Sequence, residues 1–239
     1  MQLNIIYEDE DILVCFKPAG IATQTASLSG QDMVSLIKNY LAKQRKEKSP
    51  YVGVIHRLDQ PVSGLLMFAK NQKAAAVLSK QIQDGTANKD YIAYCEGHLE
   101  ERCGELVHYI RKDPVTKLAK TLDEKTFLEI QKVNKEEAKT YKKAMLNYEV
   151  VKEIEDSSII KVHLQTGRFH QIRAQFLQIG NALLGDAKYG TPASKEISMK
   201  KRMNKIALCA NHLVLKHPTT GKEMEFTLEK ECLPQWYQG

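Results

Sequence analysis

The chain carries two apolar runs separated by a short charged turn. Tyr51-Val52-Gly53-Val54-Ile55 precedes it and Leu65-Leu66-Met67-Phe68-Ala69 follows it. Between them lies His56-Arg57-Leu58-Asp59-Gln60-Pro61-Val62-Ser63-Gly64. Short uninterrupted apolar runs of this kind fit buried strands, and Pro61, Ser63 and Gly64 punctuate the connection. Arg57 and Asp59 therefore sit at a strand end, on a rigid sheet. Charged groups are held there for one of two reasons: to close a turn as an ion pair, or to present a carboxylate for chemistry.

The rest of the chain alternates strands and helices. Ile5 to Tyr7 and Ile12 to Phe16 form two short strands around an acidic turn, and Pro18-Ala19-Gly20 breaks the chain. Val34, Ile37 and Leu41 recur at helical spacing, which predicts a helix from Asp32 to about Lys43. The cations beyond it, Lys43, Arg45, Lys46 and Lys48, suit a helix C-terminus. Asn71 caps a second helix that ends at Gly85, and Tyr91 to Cys95 alternates as a strand. From Glu100 to Glu137 the pattern weakens to short strands and an excursion. Tyr141 to Ile154 and Ser158 to Leu164 form strands. Gly167 to Gln178 forms a helix with Ile172, Phe176 and Ile179 inward, Lys195 to Lys205 a basic loop, and Leu208 to Leu228 a hairpin.

Composition sets bounds. With 239 residues and 43% hydrophobic content the chain can bury a sizeable core. Its net charge of +6 is compatible with an RNA partner without requiring one. No apolar run reaches membrane-spanning length, and the N-terminus has no leader-like pattern, so the expectation is a cytoplasmic protein with no membrane partner. The five cysteines, Cys15, Cys95, Cys103, Cys209 and Cys232, are scattered. Reduced thiols and no metal site are expected; Cys209 and His212 have a ligand-like spacing but lie in an alternating strand.

A second block, Leu164-Gln165-Thr166-Gly167-Arg168-Phe169-His170-Gln171-Ile172-Arg173, is followed by Gly185-Asp186-Ala187-Lys188-Tyr189-Gly190. Together with His56-Arg57-Leu58-Asp59 it resembles the RluA-type pseudouridine synthases, whose motifs are HRLD-x-x-[TS]-S-G-L-L and L-x-T-G-R-x-H-Q-I-R. Leu13 to Gly20, Lys89 to Ala93 and Leu208 to Gly221 agree with the same family, so the likeness runs from about Ile5 to Pro234. Val62 stands where the family usually has Thr, and Cys209 where a His is common.

The resemblance implies an α/β fold of the α+β type. Its mixed, mostly antiparallel sheet lies in two fused lobes with a catalytic cleft between them, making one catalytic domain over 1–239 without an S4-like domain. It implies an isomerase that converts uridine to pseudouridine in ribosomal or transfer RNA, with no cofactor; a monomer is the default expectation, since the sequence does not show the oligomeric state. The N1–C1′ bond breaks, the base turns and C5 bonds to C1′, on a nucleotide flipped out of its stack. Asp59 matches the family's catalytic aspartate, and whether it attacks C1′ or removes the 2′ proton stays open. Arg173 matches the arginine that keeps that carboxylate ionised. Tyr91 matches the active-site tyrosine, although an aromatic on a strand is by itself ordinary core. His56, Arg57, Gly167, Arg168, His170 and Gln171 are expected on the RNA. The Thr166-Gly167-Arg168 step offers a helix N-terminus for phosphate, and His170 fits a structural role equally well. Lys38 to Lys48, Lys132 to Lys143 and Lys195 to Lys205 are further candidate contact surfaces. Two other readings remain, an RNA-binding protein of the same fold and a hydrolase acting on the glycosidic bond. The second would release free uracil, and no second carboxylate for activating water stands out.

Overall fold

The computed structural model describes residues 3–25, 30–46 and 48–238. The first two residues of the N-terminus and the Arg45 side chain lie outside the described residues. The elements run β1 (Asn4–Glu8), β2 (Ile12–Lys17), α1 (Met33–Arg45), β3 (Gly53–Val54), β4 (Ser63–Ala69), α2 (Gln72–Gln83), β5 (Asn88–Glu96), β6 (Cys103–Lys112), β7 (Ala119–Leu122), α3 (Glu124–Val133), α4 (Lys135–Thr140), β8 (Lys142–Ile154), β9 (Ser157–Leu164), α5 (Gln171–Gln178), α6 (Pro192–Lys200), β10 (Leu208–Lys216) and β11 (Glu223–Thr227). They fall into two compact units, residues 1–89 with 209–238, and residues 90–208.

In the first unit β2 pairs antiparallel with β1 and β4, and β10 pairs antiparallel with β11. The pairing of β4 with β10 is parallel, through Cys209–Ser63 and Ala210–Gly64. Both β2 and β4 are apolar along almost their whole length, as a strand covered on both faces must be. Ile12, Leu13, Val14, Leu66, Phe68 and Ala69 are fully buried. The Asp32 carboxylate accepts from the Ser35 N–H at 2.7 Å while Ser35 Oγ accepts from the Asp32 N–H, a reciprocal cap that starts α1 where the sequence signals it. Asn71 caps α2 with its side-chain oxygen alone, which accepts from the Ala74 N–H at 2.9 Å. The run Tyr51–Ile55 supplies only the two-residue β3.

The parallel contact depends on one glycine. Gly64 has φ +131°, and a Cβ there would lie 2.2 Å from the Ala210 carbonyl oxygen. Gly64→Ala is therefore expected to destabilise the protein by at least about 2 kcal/mol, since both backbone strain and a backbone clash oppose it. A urea-denaturation midpoint matching wild type would contradict this account of the β4–β10 contact.

The second unit is an antiparallel sheet in the order β5-β9-β8-β6-β7. Three elements differ from expectation. The region Glu100 to Glu137 holds the ten-residue β6 and the helices α3 and α4, started by Asp123 and Asn134 side chains that accept from Thr126 and Glu137 N–H groups. Segment Lys195 to Lys205 is mostly helical, because Thr191 caps α6 and Pro192 fills its first position. Finally, α5 begins at Gln171 rather than Gly167, because His170 takes a left-handed conformation at φ +53°. Ile172 and Phe176 face the core as expected, whereas Ile179 is 36% exposed.

Candidate active site

The Asp59 turn is held from both sides by the segment after β2. Thr23 Oγ1 accepts from the Leu58 N–H at 3.2 Å and donates to the Leu58 carbonyl at 3.0 Å. One residue past Asp59, the Gln60 carbonyl accepts from the Gly20 N–H at 2.8 Å and from Lys17 Nζ at 3.1 Å. The Val62 N–H closes the turn on the Asp59 carbonyl at 3.0 Å. Asp59 itself is partly exposed. A carboxylate fixed through its own backbone, on a strand end, has the preorganisation that a catalytic group needs.

Lys17 is the residue that sequence reasoning passed over. It is fully buried, and its ammonium donates to the carbonyls of Pro18, Ile21 and Gln60. Burial lowers its pKa to about 8, while the Asp59 carboxylate draws it back upward. Within this unit Lys17 is thus both a strut for the turn and a positive charge felt by Asp59. A lysine closing the otherwise apolar run of β2 was the available signal, since a lysine is almost never fully buried unless paired.

His56 and Arg57 diverge. Arg57 is exposed and donates to Gln24 Oε1 at 3.1 Å, which leaves its guanidinium at the surface of the turn. His56 Nε2 accepts the Met67 N–H at 3.2 Å, which assigns the ring proton to Nδ1, a buried atom without a hydrogen-bond partner. Burial pushes the imidazole pKa down to about 3, and the Lys89 ammonium adds to the shift. An unfolded histidine titrates near 6.5. His56 therefore stabilises the fold fully above about pH 6.5, and that contribution drains away as pH falls toward 3, because the unfolded chain takes the proton first. The expected loss is on the order of 3 kcal/mol. Urea midpoints of wild type and His56→Gln at pH 7, 5 and 4 test it: the wild type should lose stability more steeply, and parallel curves would contradict the assignment.

The second block builds a different cluster, within the second unit. Arg173 is 3% exposed and grips Asp186 through two parallel bonds, Nε to Oδ2 and Nη2 to Oδ1, both at 2.7 Å. Asp186 also accepts the N–H groups of Lys188 and Tyr189, and the Arg173 guanidinium lies over the Tyr189 ring at 4.8 Å. The loop that carries Asp186 and Tyr189 thus fixes the orientation of Arg173. His170 is stacked on Phe169 at 3.8 Å, and its Nδ1 meets the Tyr189 hydroxyl at 2.8 Å. That hydroxyl also accepts from the Ala119 N–H at 2.6 Å.

Gln171 is buried, and its carboxamide serves the turn before α5. Oε1 accepts from Thr166 Oγ1 at 2.8 Å and from the Arg168 N–H at 2.9 Å, and Nε2 donates to the Met145 carbonyl at 3.0 Å. This corrects one expectation, because the Arg168 N–H is not a free helix-terminal donor. Gly167 and Arg168 remain exposed, with Arg168 Nε donating to the Lys143 carbonyl at 2.9 Å. Tyr91 lies on β5, 7% exposed, opposite Val162 of β9. Cys209 is a core cysteine whose thiol burial pushes up to about 11. No helix among the described residues is long and apolar enough to cross a membrane.

Comparison with known proteins gives the class to which the chain belongs. The family model described as RNA pseudouridylate synthase matches residues 11–178. An uncharacterized RNA pseudouridine synthase of Aquifex aeolicus is 36% identical over 239 residues, covering 95% of this chain and 69% of its own. A ribosomal large subunit pseudouridine synthase D of Zymomonas mobilis is 30% identical over 232 residues, covering 95% of this chain and 69% of its own. The chain belongs to the RNA pseudouridylate synthase family. It is accordingly an isomerase with RNA as substrate. Among solved structures, human RNA pseudouridylate synthase domain containing 4 shares the fold with a TM-score of 0.72 at 17% identity, covering 98% of this chain and 90% of the other. Human RNA pseudouridylate synthase domain containing 1 gives 0.69 at 23% identity, with 98% and 85% covered.

Proposed function

We propose that this synthase isomerises uridine in large-subunit ribosomal RNA, with Asp59 as the group that acts at the sugar. The observation that carries the reading is the Asp59 turn, braced by Thr23, Gly20 and Lys17, in a chain of this family. In the reaction the N1–C1′ bond breaks, the detached uracil turns, C5 bonds to C1′, the C5 proton leaves and N1 gains one. Atoms balance with no redox partner and no water consumed. Asp59 must be ionised, either to attack C1′ or to take the 2′ proton. Arg173, oriented by Asp186, supplies positive charge that keeps the reacting carboxylate ionised. Tyr91 contacts the flipped base and assists loss of the C5 proton.

Arg57 and Arg168, both exposed, contact the RNA, together with His56 and His170 at the edges of their clusters and the Gly167 backbone. Gln171 acts by holding the Arg168 turn. The two units form one catalytic domain acting as a monomer in the cytoplasm, a reading supported by five unpaired cysteines. The ribosomal preference follows the Zymomonas relative. It is tested by incubating the purified protein with [5-³H]uridine-labelled RNA from a gene-deletion strain, split into ribosomal and transfer fractions. Tritium release from ribosomal RNA without free uracil supports the proposal. Release confined to transfer RNA overturns the substrate, and free uracil overturns the reaction.

A further inference from the structure

The excursion between β7 and β8 carries a feature the reaction does not use. Helices α3 and α4, with the start of β8, enclose a groove of about 540 Å³. That volume falls in the range of about 300–1,000 Å³ typical of pockets that hold a small molecule. Its floor is apolar, from Phe127 and Tyr141, and its rim carries Lys132, Lys135, Lys139 and Lys142, with no carboxylate in the lining. The floor is rigid. Phe127 stacks on Tyr109 with ring centroids 3.7 Å apart and planes 2° apart, and Arg111 lies over the Tyr141 ring at 4.8 Å.

All four lysines are exposed. Lys139 pairs with Glu136 at 2.7 Å, but both partners are largely in solvent, so the pair holds it weakly. Lys132, Lys135 and Lys142 have no carboxylate partner among the described residues. The rim thus presents net positive charge beside an apolar floor, which an anion would complement. Phosphodiester charge on the rim and a base or sugar on the floor match both halves of the lining.

We propose that the α3–α4 groove is an RNA-docking subsite, separate from the Asp59 turn, that takes a single-stranded stretch of the substrate through its phosphates. The inference rests on the reading that the substrate is RNA. The test compares wild type, a triple variant Lys132→Ala, Lys135→Ala, Lys142→Ala, and the corresponding triple arginine variant. Binding of a fluorescein-labelled 20-nucleotide oligouridylate is followed by anisotropy across salt concentrations. Tritium release from total RNA of a deletion strain gives KM and kcat.

The alanine variant is expected to bind at least about tenfold more weakly, with the slope of log Kd against log salt shallower by about 2, since each single-strand phosphate contact contributes roughly 0.7. Its KM should rise while kcat at saturating RNA holds, and the arginine variant should bind as wild type does. An active wild type whose Kd, salt slope and KM are indifferent to the three lysines overturns the subsite and leaves the reaction standing. An arginine variant as weak as the alanine variant also overturns it, because charge would then not be what the groove supplies. A wild type that forms no pseudouridine removes the reading beneath the proposal, and the proposal with it.

Discussion

Asp59→Asn is expected to lower pseudouridine formation by on the order of 10⁴-fold or more, as loss of a reacting group does, while RNA binding stays close to wild type. Asparagine matches the shape of aspartate and keeps its backbone. The turn is braced by bonds through the Leu58, Gln60, Asp59 and Val62 main chain, which the substitution leaves in place. The variant should therefore keep the main-chain frame of the turn and lose the negative charge proposed to act at C1′. Tritium release from labelled RNA measures the rate, and anisotropy with labelled oligouridylate measures binding. Activity retained within tenfold would remove Asp59 from the reaction. Loss of binding in parallel with activity would recast it as a structural group.

The second large effect is on stability. Asp186→Ala leaves the Arg173 guanidinium buried with its two strongest bonds unmade. Breaking a buried ion pair from one side costs about 3–5 kcal/mol. For a chain of this size the melting temperature should fall by roughly 10 °C. The N–H groups of Lys188 and Tyr189 lose their acceptor as well, so the loop that carries Tyr189 loosens and His170 loses its fixed partner. Arg173→Lys should not match wild type, because an ammonium cannot make the planar two-bond contact. Thermal unfolding followed by circular dichroism decides the matter. An Asp186→Ala variant within about 1 kcal/mol of wild type would show that the pair is dispensable, in the manner of exposed ion pairs.

These two residues mark where the sequence was legible and where it was not. Asp59 could be found because the turn it occupies is local, framed within about ten residues by apolar runs and Pro61-Val62-Ser63-Gly64. Helices α1 and α2 were legible for the same reason, since Asp32 and Asn71 announce their starts. Asp186 appeared to shape a loop because its partner lies thirteen positions earlier, and no periodicity links a strand-to-helix turn to a loop beyond the helix. Lys17 was hidden by its place at the end of an apolar strand, where it resembles an ordinary solvated terminus. The start of α5 was misplaced because His170 adopts a left-handed conformation that few residues other than glycine and asparagine signal. Helices α3 and α6 start at polar caps, Asp123 and Thr191-Pro192, within stretches rich in charged residues.

The Lys17 strut explains how a turn with an exposed arginine and a partly exposed carboxylate stays fixed. Three carbonyls converge on one ammonium, and one of them, Gln60, is the neighbour of Asp59 in the chain. The main chain on either side of Asp59 thus contributes to positioning the turn.

The central claim is that Asp59 carries uridine isomerisation at a defined site in ribosomal RNA. It is tested most directly by mapping pseudouridine, through carbodiimide treatment and primer extension, in total RNA from cells with the wild-type gene, a deletion, and the deletion complemented with Asp59→Asn. The account predicts at least one large-subunit ribosomal position that is modified in wild type, unmodified in the deletion, and unmodified again with Asp59→Asn. A position restored by Asp59→Asn, or a map unchanged by the deletion, would contradict it.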